Sequence, residues 1–162
     1  YDERKNVDKL LEEYKIFAGD KPEIPLILVG EKLFNTRLYR SFNRALKEAG
    51  KVGKIIFTGF LPNEKLNVLY RNCATYVNLS SSEGFNIPVV EAANCGAPLL
   101  LSETEVHKEL FKGHAVFVDL SSKGEVASHM KKFLENPEKS FELAKKFSWK
   151  SSAQKVKEVL FS

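Results

Sequence analysis

The sequence has 162 residues, which is enough for one ordinary domain. Hydrophobic residues make up 43% of it and charged residues 28%, which excludes a disordered chain, and no run approaches the roughly 18 apolar residues that span a bilayer. The net charge of +4 suits an anionic ligand such as a nucleotide or a loose contact with acidic lipid headgroups, and equally a surface that is merely basic.

The predicted elements alternate between helices and short strands. Helices show apolar residues three and four positions apart, and strands are apolar runs bounded by turn residues. Gly19 is expected to end the first helix, Gly30 to stop the first strand and Asn63 to cap the third helix. In chain order the predicted elements are helix 6–18, strand 24–29, helix 36–49, strand 54–57, helix 63–72, strand 74–79, helix 87–94, strands 98–101 and 115–118, a helix around 126–134 and a helical tail from about residue 138.

The predicted strands are continuous apolar runs, which is typical of a parallel sheet covered by helices on both faces. We therefore expect an α/β fold with a Rossmann-like, doubly wound sheet, in which strand 24–29 is buried on both faces. A ligand should bind outside the carboxyl ends of the strands, near the loops that follow Val29, Phe57, Leu79 and Leu101. Such a sheet usually starts with a central strand. We therefore expect a first strand upstream of this sequence, the alternative being that the first helix is an addition to the fold.

Several chemistries lack their motifs. The sequence has neither the G-x-G-x-x-G of dinucleotide enzymes nor the G-x-x-x-x-G-K-[ST] of P-loop enzymes. Cys73 and Cys95 are expected to be buried thiols, and His107, His114 and His129 lack zinc-ligand spacing, so neither a metal nor a cofactor is expected. The charged start has no secretory core and no arginine-rich arm is present, which indicates a cytoplasmic protein that binds no nucleic acid and contacts membranes at most peripherally.

Residues 81–91, with the sequence SSEGFNIPVVE, connect a predicted strand to a predicted helix. The free N–H groups of the helix start favour a phosphate, and Gly84 lets a ligand approach the backbone. Glu83 lies in the loop, and Glu91 lies in the second helical turn among apolar neighbours, where a carboxylate needs donors such as the hydroxyls of a ribose. The alternative is that both are ordinary solvated charges.

Glu83 and Glu91 are separated by seven residues, and the segment through Pro98 resembles the E-x7-E signature of the large family of retaining glycosyltransferases that includes bacterial group 1 sugar transferases, sucrose synthases and glycogen synthases. The usual family text is close to E-G-F-G-x-P-x-x-E-A-x-A-C-G-x-P, and this sequence has Asn86 where glycine is commonest. Further segments resemble the family in the same order. They are Arg4-Lys5-Asn6, Leu28-Val29-Gly30, the turn 57–62 and Phe147-Ser148-Trp149.

The resemblance implies a role for each matching residue. Lys5 would contact the donor diphosphate and offset the charge of the leaving group, while the family's companion arginine would lie upstream. Glu83 would position the hydroxyls of the donor sugar, Glu91 would hold the ribose and the turn 57–62 would frame the base. The candidate catalytic residues are thus Glu83 and Lys5. The donor-binding candidates are Lys5, Gly30, Gly59, Leu61, Gly84, Phe85, Asn86, Ile87 and Glu91.

The resemblance also implies two Rossmann-like domains that face each other across a cleft. Residues 1–162 correspond to the donor-binding domain, and the domain with most of the acceptor site is expected upstream. The implied reaction is the retaining transfer of a hexose-type sugar from a nucleotide diphosphate sugar to an acceptor sugar, lipid or protein, as in polysaccharide or glycoconjugate biosynthesis. The alternative is a non-catalytic module that binds a nucleotide sugar. An epimerase on the same fold would need a different acid–base set.

A polar cluster around a short predicted helix is expected to be a solvated face, with a contact to the cleft as the alternative. Its members are Glu103, Glu105, His107 and Glu109. Phe85 either stacks on the ligand or fills the core.

Overall fold

The computed structural model describes residues 2–30, 40–136 and 149–160, which fold into alternating helices and parallel strands. In chain order the elements are a 3₁₀ helix (Glu3–Lys5), α1 (Val7–Asp20), β1 (Leu26–Val29), α2 (Arg40–Ala49), β2 (Ile55–Gly59), α3 (Asn63–Asn72), β3 (Tyr76–Asn78), α4 (Ile87–Asn94), β4 (Leu99–Ser102), α5 (Glu105–Phe111), β5 (Val116–Val118), α6 (Glu125–Glu135) and α7 (Trp149–Leu160). None of the described helices combines the length and the apolar character that crossing a membrane requires.

The described strands form two hydrogen-bonded groups, both of them parallel. β1 pairs with β2, and β4 lies between β3 and β5. Leu99, Leu100 and Leu101 are at most 1% exposed, as expected for a central strand that is covered on both faces. The predicted α/β class, with parallel strands and helices, is confirmed.

Two apolar layers cover the strands. On one face α1, α2 and α6 pack against residues from both groups of strands and form one core. On the other face α3, α4 and α5 pack against β3, β4 and β5 only. The prediction that strand 24–29 is buried on both faces is therefore wrong: Ile27 is 39% exposed and Val29 46% exposed, because no described helix packs on that side of β1.

α1 is anchored to the start of the first two strands by Tyr14. The side chain is 1% exposed, and its hydroxyl lies 2.9 Å from the carbonyl oxygens of both Ile24 and Lys54. Gly53 makes this approach feasible, since a Cβ at that position would lie 2.5 Å from the hydroxyl oxygen. The amphipathic pattern of α1 thus buries a helix face and also sets where β1 and β2 begin.

Several predicted boundaries shift in the structure. Gly19 does not end α1, which runs on to Asp20. Asn63 is the first residue of α3 and makes no side-chain cap; the capping position is Pro62. β1 begins at Leu26, after a proline that has no N–H for a strand ladder. Residues 36–39 of the predicted second helix, residues 138–148 of the predicted tail helix and the Phe147-Ser148 pair lie outside the described residues.

The start of α6 is capped by a residue from α1. Glu13 is 8% exposed, and its carboxylate accepts hydrogen bonds from the N–H groups of Gly124 at 2.7 Å and Ala127 at 3.0 Å. Gly124, the residue before the helix, has no side chain to do this itself. A buried carboxylate at a helix N-terminus is favoured by the helix dipole, so this contact locks the first and sixth helices together.

Replacing Glu13 with alanine should lower the free energy of unfolding by about 2–4 kcal/mol, because two hydrogen bonds to a charged group are lost and buried N–H groups are left without partners. Urea denaturation measures the change. Glu12→Ala, a neighbouring exposed position, is the control and should stay within about 0.5 kcal/mol of wild type. Equal unfolding midpoints for the Glu13 variant and wild type would refute the role of this cap.

Candidate functional site

Most predicted site residues lie at the carboxyl ends of the parallel strands. Gly30 follows β1, Gly59 ends β2 and Glu83 lies in the loop between β3 and α4 (residues 79–86), called the β3–α4 loop below. In a parallel sheet these ends share one edge, so the polar loops collect on the same side of the fold.

Lys5 and Glu83 contact each other although 78 positions separate them in the sequence. Lys5 Nζ donates a hydrogen bond of 2.5 Å to Glu83 Oε1. The lysine side chain is 41% exposed and the glutamate side chain 13% exposed, so the lysine stays accessible while the glutamate is mostly covered. The two candidate catalytic residues therefore form an ion pair.

Main-chain and amide hydrogen bonds hold the 3₁₀ helix against the end of β3. Ser81 N donates to Arg4 O at 2.8 Å, and Asn6 Nδ2 donates to Leu79 O at 2.7 Å. Asn6 adopts a left-handed conformation with φ 49°, which asparagine tolerates better than other non-glycine residues. These bonds fix Lys5 relative to the loop that carries Glu83.

Glu83 is ionised at neutral pH. Partial burial raises the pKa of its carboxyl, but the hydrogen bond from Lys5 lowers it, as do the nearby Ser80 hydroxyl and the charge of Lys5, and the net pKa lies below its usual value. Ser80 Oγ is buried and reaches no hydrogen-bond geometry with any residue that the structure describes.

The start of α4 presents main-chain donors. Within the described parts of the chain, the N–H groups of Gly84, Asn86 and Ile87 donate to no protein acceptor, and Pro88 has no N–H. Val89 N is already satisfied by Asn86 O at 3.0 Å. Free N–H groups ahead of an eight-residue helix favour an anion there.

Asn86 is buried, at 5% exposure, and its side chain is held by a histidine. Asn86 Nδ2 lies 2.9 Å from His107 Nε2, and His107 Nδ1 lies 2.8 Å from the carbonyl oxygen of Ser102. Because that oxygen only accepts, Nδ1 carries the proton, and Nε2 accepts from the Asn86 amide. Asn86, which stands where the family pattern usually has glycine, therefore links His107 to the β3–α4 loop.

His107 is the main residue that the sequence interpretation misplaced. It was expected on a solvated face, but it is 0% exposed. The signal was its spacing from Phe111: the two residues lie one helical turn apart on the buried face of α5, with ring centroids 6.2 Å apart. Burial lowers the pKa of His107, opposed by the hydrogen bond to Ser102 and by the charge of Glu83, so the ring is neutral at neutral pH.

Gly30 and Gly59 form a second pair at the same edge. Gly30 N donates to Gly59 O at 3.0 Å, and both residues have positive φ, 120° and 67°. A Cβ at either position would meet no atom of the described residues within 4 Å. Leu61, two residues after Gly59, is partly buried. Among the described residues, neither Leu61 nor these glycines are hydrogen-bonded to Lys5 or Glu83.

Glu91 is placed differently from the prediction. The apolar neighbours Val89 and Val90 are buried, but Glu91 itself is exposed, because α4 turns only one face to the core. Its carboxylate therefore does not require a ligand to satisfy it, and the argument from an apolar environment is wrong. Phe85 is 45% exposed and Ile87 44% exposed, which excludes Phe85 as a core residue.

The cysteines are less buried than expected. Cys73 and Cys95 are both partly buried free thiols, and burial raises the pKa of Cys73 to about 11. Among the described residues no three His, Cys, Asp or Glu side chains are grouped so as to hold a metal ion.

Comparison with known sequences gives a family. The profile of the family described as "Glycosyl transferases group 1" matches residues 1–154. A curated relative, the O-antigen chain mannosyltransferase B of Escherichia coli, is 28% identical over 157 residues, which is 91% of this chain and 40% of that protein. The chain thus spans about two-fifths of the length of this relative.

Solved structures share the fold. The Anabaena protein HepE, solved in complex with UDP and glucose, superposes with a TM-score of 0.74 at 21% identity over 91% of this chain and 43% of that one. The C-terminal domain of a group 1 family glycosyl transferase (LpcC) from Francisella tularensis gives a TM-score of 0.70 at 19% identity, over 89% of this chain and 76% of that one. With a parallel α/β fold and a family profile that covers nearly its whole length, this chain belongs to the group 1 glycosyltransferases.

Proposed function

We propose that this chain is the donor-binding domain of a retaining glycosyltransferase, which transfers a hexose-type sugar from a nucleotide diphosphate sugar. The observation that carries the proposal is the contact between Lys5 and Glu83, which joins two residues implied in catalysis across 78 positions of sequence. They meet at the carboxyl ends of the strands, where ligands of such sheets bind.

In this proposal Lys5 and the free main-chain N–H groups bind the diphosphate, and Glu83 binds the sugar. Lys5 has three N–H donors, of which one contacts Glu83, so two are left for the oxygens of a diphosphate. The free N–H groups of Gly84, Asn86 and Ile87 would hold the same diphosphate, and together they offset the negative charge that builds up on the leaving group. Glu83, ionised and mostly covered, would accept hydrogen bonds from sugar hydroxyls.

The rest of the donor would lie over the neighbouring loops. A flat base would lie over Gly30 and Gly59, where no atom of the described residues crowds the glycines, and Leu61 would flank it. Glu91 would reach the ribose from the exposed side of α4. Its exposure keeps the carboxylate available to a ligand, and the proposal for Glu91 rests on the family resemblance of its position.

We also propose that a strand from outside these residues completes the sheet. Leu28 of β1 and Val77 of β3 pack on one core, yet in the described parts of the chain β1 and β3 are not hydrogen-bonded to each other. In a doubly wound sheet with strand order 3-2-1-4-5-6, the first strand lies between the second and the fourth. β1 and β2 match the second and third strands, so the central strand would precede α1, and the acceptor domain would precede that strand.

The donor is identified by calorimetry with UDP-, GDP- and ADP-sugars. Glucose and mannose donors come first, since HepE was solved with UDP and glucose and the Escherichia coli relative is a mannosyltransferase. Competition by the matching nucleoside diphosphate is expected. A chain that binds none of these compounds at millimolar concentration contradicts the proposed function.

Replacing Lys5 with alanine should lower the affinity for inorganic diphosphate and nucleoside diphosphates by about 10- to 100-fold, the loss expected for hydrogen bonds to a charged group. The affinity for the bare nucleoside should not change. NMR titration covers the weak ligands. Lys9→Ala, an exposed lysine one turn into α1, is the matched control and should bind like wild type. Equal weakening of diphosphate and nucleoside, or none, would make Lys5 a surface lysine.

Replacing Glu91 with alanine should show the opposite pattern. The binding of nucleosides and nucleotides should become weaker by roughly 1.5–3 kcal/mol, because the ribose loses a charged acceptor, while inorganic diphosphate binds as before. Glu109→Ala, an exposed glutamate on α5, controls for the loss of one negative charge. A Glu91 variant with wild-type nucleotide affinity would remove Glu91 from the site.

The 162-residue chain alone should bind a nucleotide sugar weakly, with a Kd on the order of 0.1–1 mM, and transfer no sugar. Roughly 4–5.5 kcal/mol is available from an open site, and transfer needs donor and acceptor held together in a closed one. A radiolabelled-donor assay with a mixture of acceptors measures this. Turnover at an ordinary enzymatic rate would show that these residues hold a complete site and that the two-domain proposal is wrong.

A further inference from the structure

We propose that His107 is a positioning residue that sets the donor affinity of the site through Asn86, and that protonation of its Nε2 releases the β3–α4 loop. This inference rests on the proposed function, because the affinity in question is that for a nucleotide sugar. The feature that carries it is a closed ring of hydrogen bonds around the loop.

The ring runs in one direction, from donor to acceptor. Ser80 N donates to Asn78 Oδ1 at 3.1 Å, and Asn78 Nδ2 faces Asn86 Oδ1 at 3.5 Å. Asn86 Nδ2 donates to His107 Nε2, and His107 Nδ1 donates to Ser102 O. Ser102 Oγ then donates to Ser80 O at 2.5 Å, which returns the ring to its starting residue.

The direction of the ring is fixed by its main-chain members. Ser80 N can only donate and Ser102 O can only accept, so the amide orientations of Asn78 and Asn86 between them are determined. Turning the Asn86 amide over would set its Nδ2 against Asn78 Nδ2 and its Oδ1 against His107 Nε2. Each link then holds the next in place, as in other cooperative polar networks.

Asn86 needs this support because of its backbone. Its φ is 60°, and Asn6 and Asn86 are the non-glycine residues with positive φ in the described parts of the chain. Its side chain makes no capping bond to α4, since it is turned toward His107. A glycine would adopt this conformation without help; an asparagine here has a buried amide that must be satisfied, and His107 satisfies it.

Protonation would break the ring at one point. A proton on Nε2 would set two donors, the imidazolium and the Asn86 amide, against each other. Turning the Asn86 amide over would relieve that link but would set its Nδ2 against Asn78 Nδ2, so one link of the ring is lost in either case. Two charged residues in the surrounding elements act on the pKa of His107. Glu83, in the β3–α4 loop, favours the protonated imidazole, and Lys5, in the 3₁₀ helix, opposes it. Because burial keeps the pKa of His107 below its ordinary value, the ring of hydrogen bonds is intact at neutral pH and is lost only as the pH falls through that lowered pKa.

The test measures binding of UDP-glucose and GDP-mannose to the full chain by calorimetry, in a series from about pH 8 down to about pH 4.5, because the pKa of His107 lies below the ordinary histidine value. These probes do not change charge in this range. The variants are His107→Leu, His107→Gln, Asn86→Gly and the double variant His107→Leu/Asn86→Gly. His129→Gln is the control for another partly buried histidine. Circular dichroism and urea midpoints confirm that each variant is folded.

At the higher pH, His107→Leu should lower the affinity for the probe about 10-fold. His107→Gln, whose Oε1 can accept a hydrogen bond from Asn86, should stay within about threefold of the wild-type affinity. Asn86→Gly should stay within about threefold of wild type, because a glycine adopts this conformation without support, and adding His107→Leu to it should change nothing further. Lowering the pH should weaken binding to wild type and to His129→Gln, and leave His107→Gln unchanged. Wild-type affinity in His107→Leu, additive effects in the double variant, or a pH profile unaltered in His107→Gln would each overturn the inference.

A ligand-free measurement separates this inference from the proposed function. In ¹⁵N NMR spectra the amide signals of Ser81 and Gly84 should shift or broaden in His107→Leu and return to wild-type positions in His107→Gln. If wild type binds neither probe, the donor proposal fails, and these amide signals decide alone whether His107 positions the loop. Unchanged loop signals in His107→Leu would overturn that role whatever the binding result.

Discussion

The hydrogen bonds between the 3₁₀ helix and the end of β3 are the constraint on which the candidate site depends. Ser81 N and Asn6 Nδ2 make these bonds with main-chain carbonyl groups, so the register between the two segments does not depend on the charges that they carry. Once the register is set, Lys5 and Glu83 are within hydrogen-bond reach. An ion pair with an accessible lysine is worth too little to hold two distant segments together, so the pair is a result of this arrangement.

Conformational strain is concentrated at the same place. Asn6 and Asn86 both adopt left-handed conformations, and each has its amide engaged by a residue far away in the sequence, Leu79 O for one and His107 for the other. Strained residues persist where their surroundings over-determine them, and they cluster at functional sites. One asparagine fixes the segment that carries Lys5, and the other fixes the loop that carries Glu83.

The sequence was enough to predict the order of helices and strands, the α/β class and the loops that follow the strands, because these follow from apolar spacing and from turn residues. It was not enough to predict the exposure of Ile27, which depends on which helices cover β1, or that of Glu91, since four apolar neighbours do not reveal which face of a helix turns inward. Contacts between residues far apart in sequence were the least predictable.

His107 shows the limit most clearly. Among the glutamates around it, a histidine looks solvated, and only its helical-turn spacing from Phe111 pointed inward. Its partner Asn86 was noticed as a departure from a glycine pattern, but an altered backbone approach was the only consequence that could be drawn. A buried asparagine at a position that suits glycine needs a hydrogen-bond partner for its amide, and only the folded chain shows which residue that partner is.

The cap that Glu13 provides for α6 has a consequence for the order of folding. It joins residues 111 positions apart, so the last elements of the domain must be present before α1 can satisfy its buried carboxylate. During synthesis, which proceeds from the N-terminus at roughly 5–20 residues per second, α1 would wait about 5–20 seconds for its partner. The segment with Lys5 is continuous with α1. The packing of the helix that follows Lys5 is therefore completed late, after nearly all of the domain has left the ribosome, and contacts of such long sequence separation make folding slow.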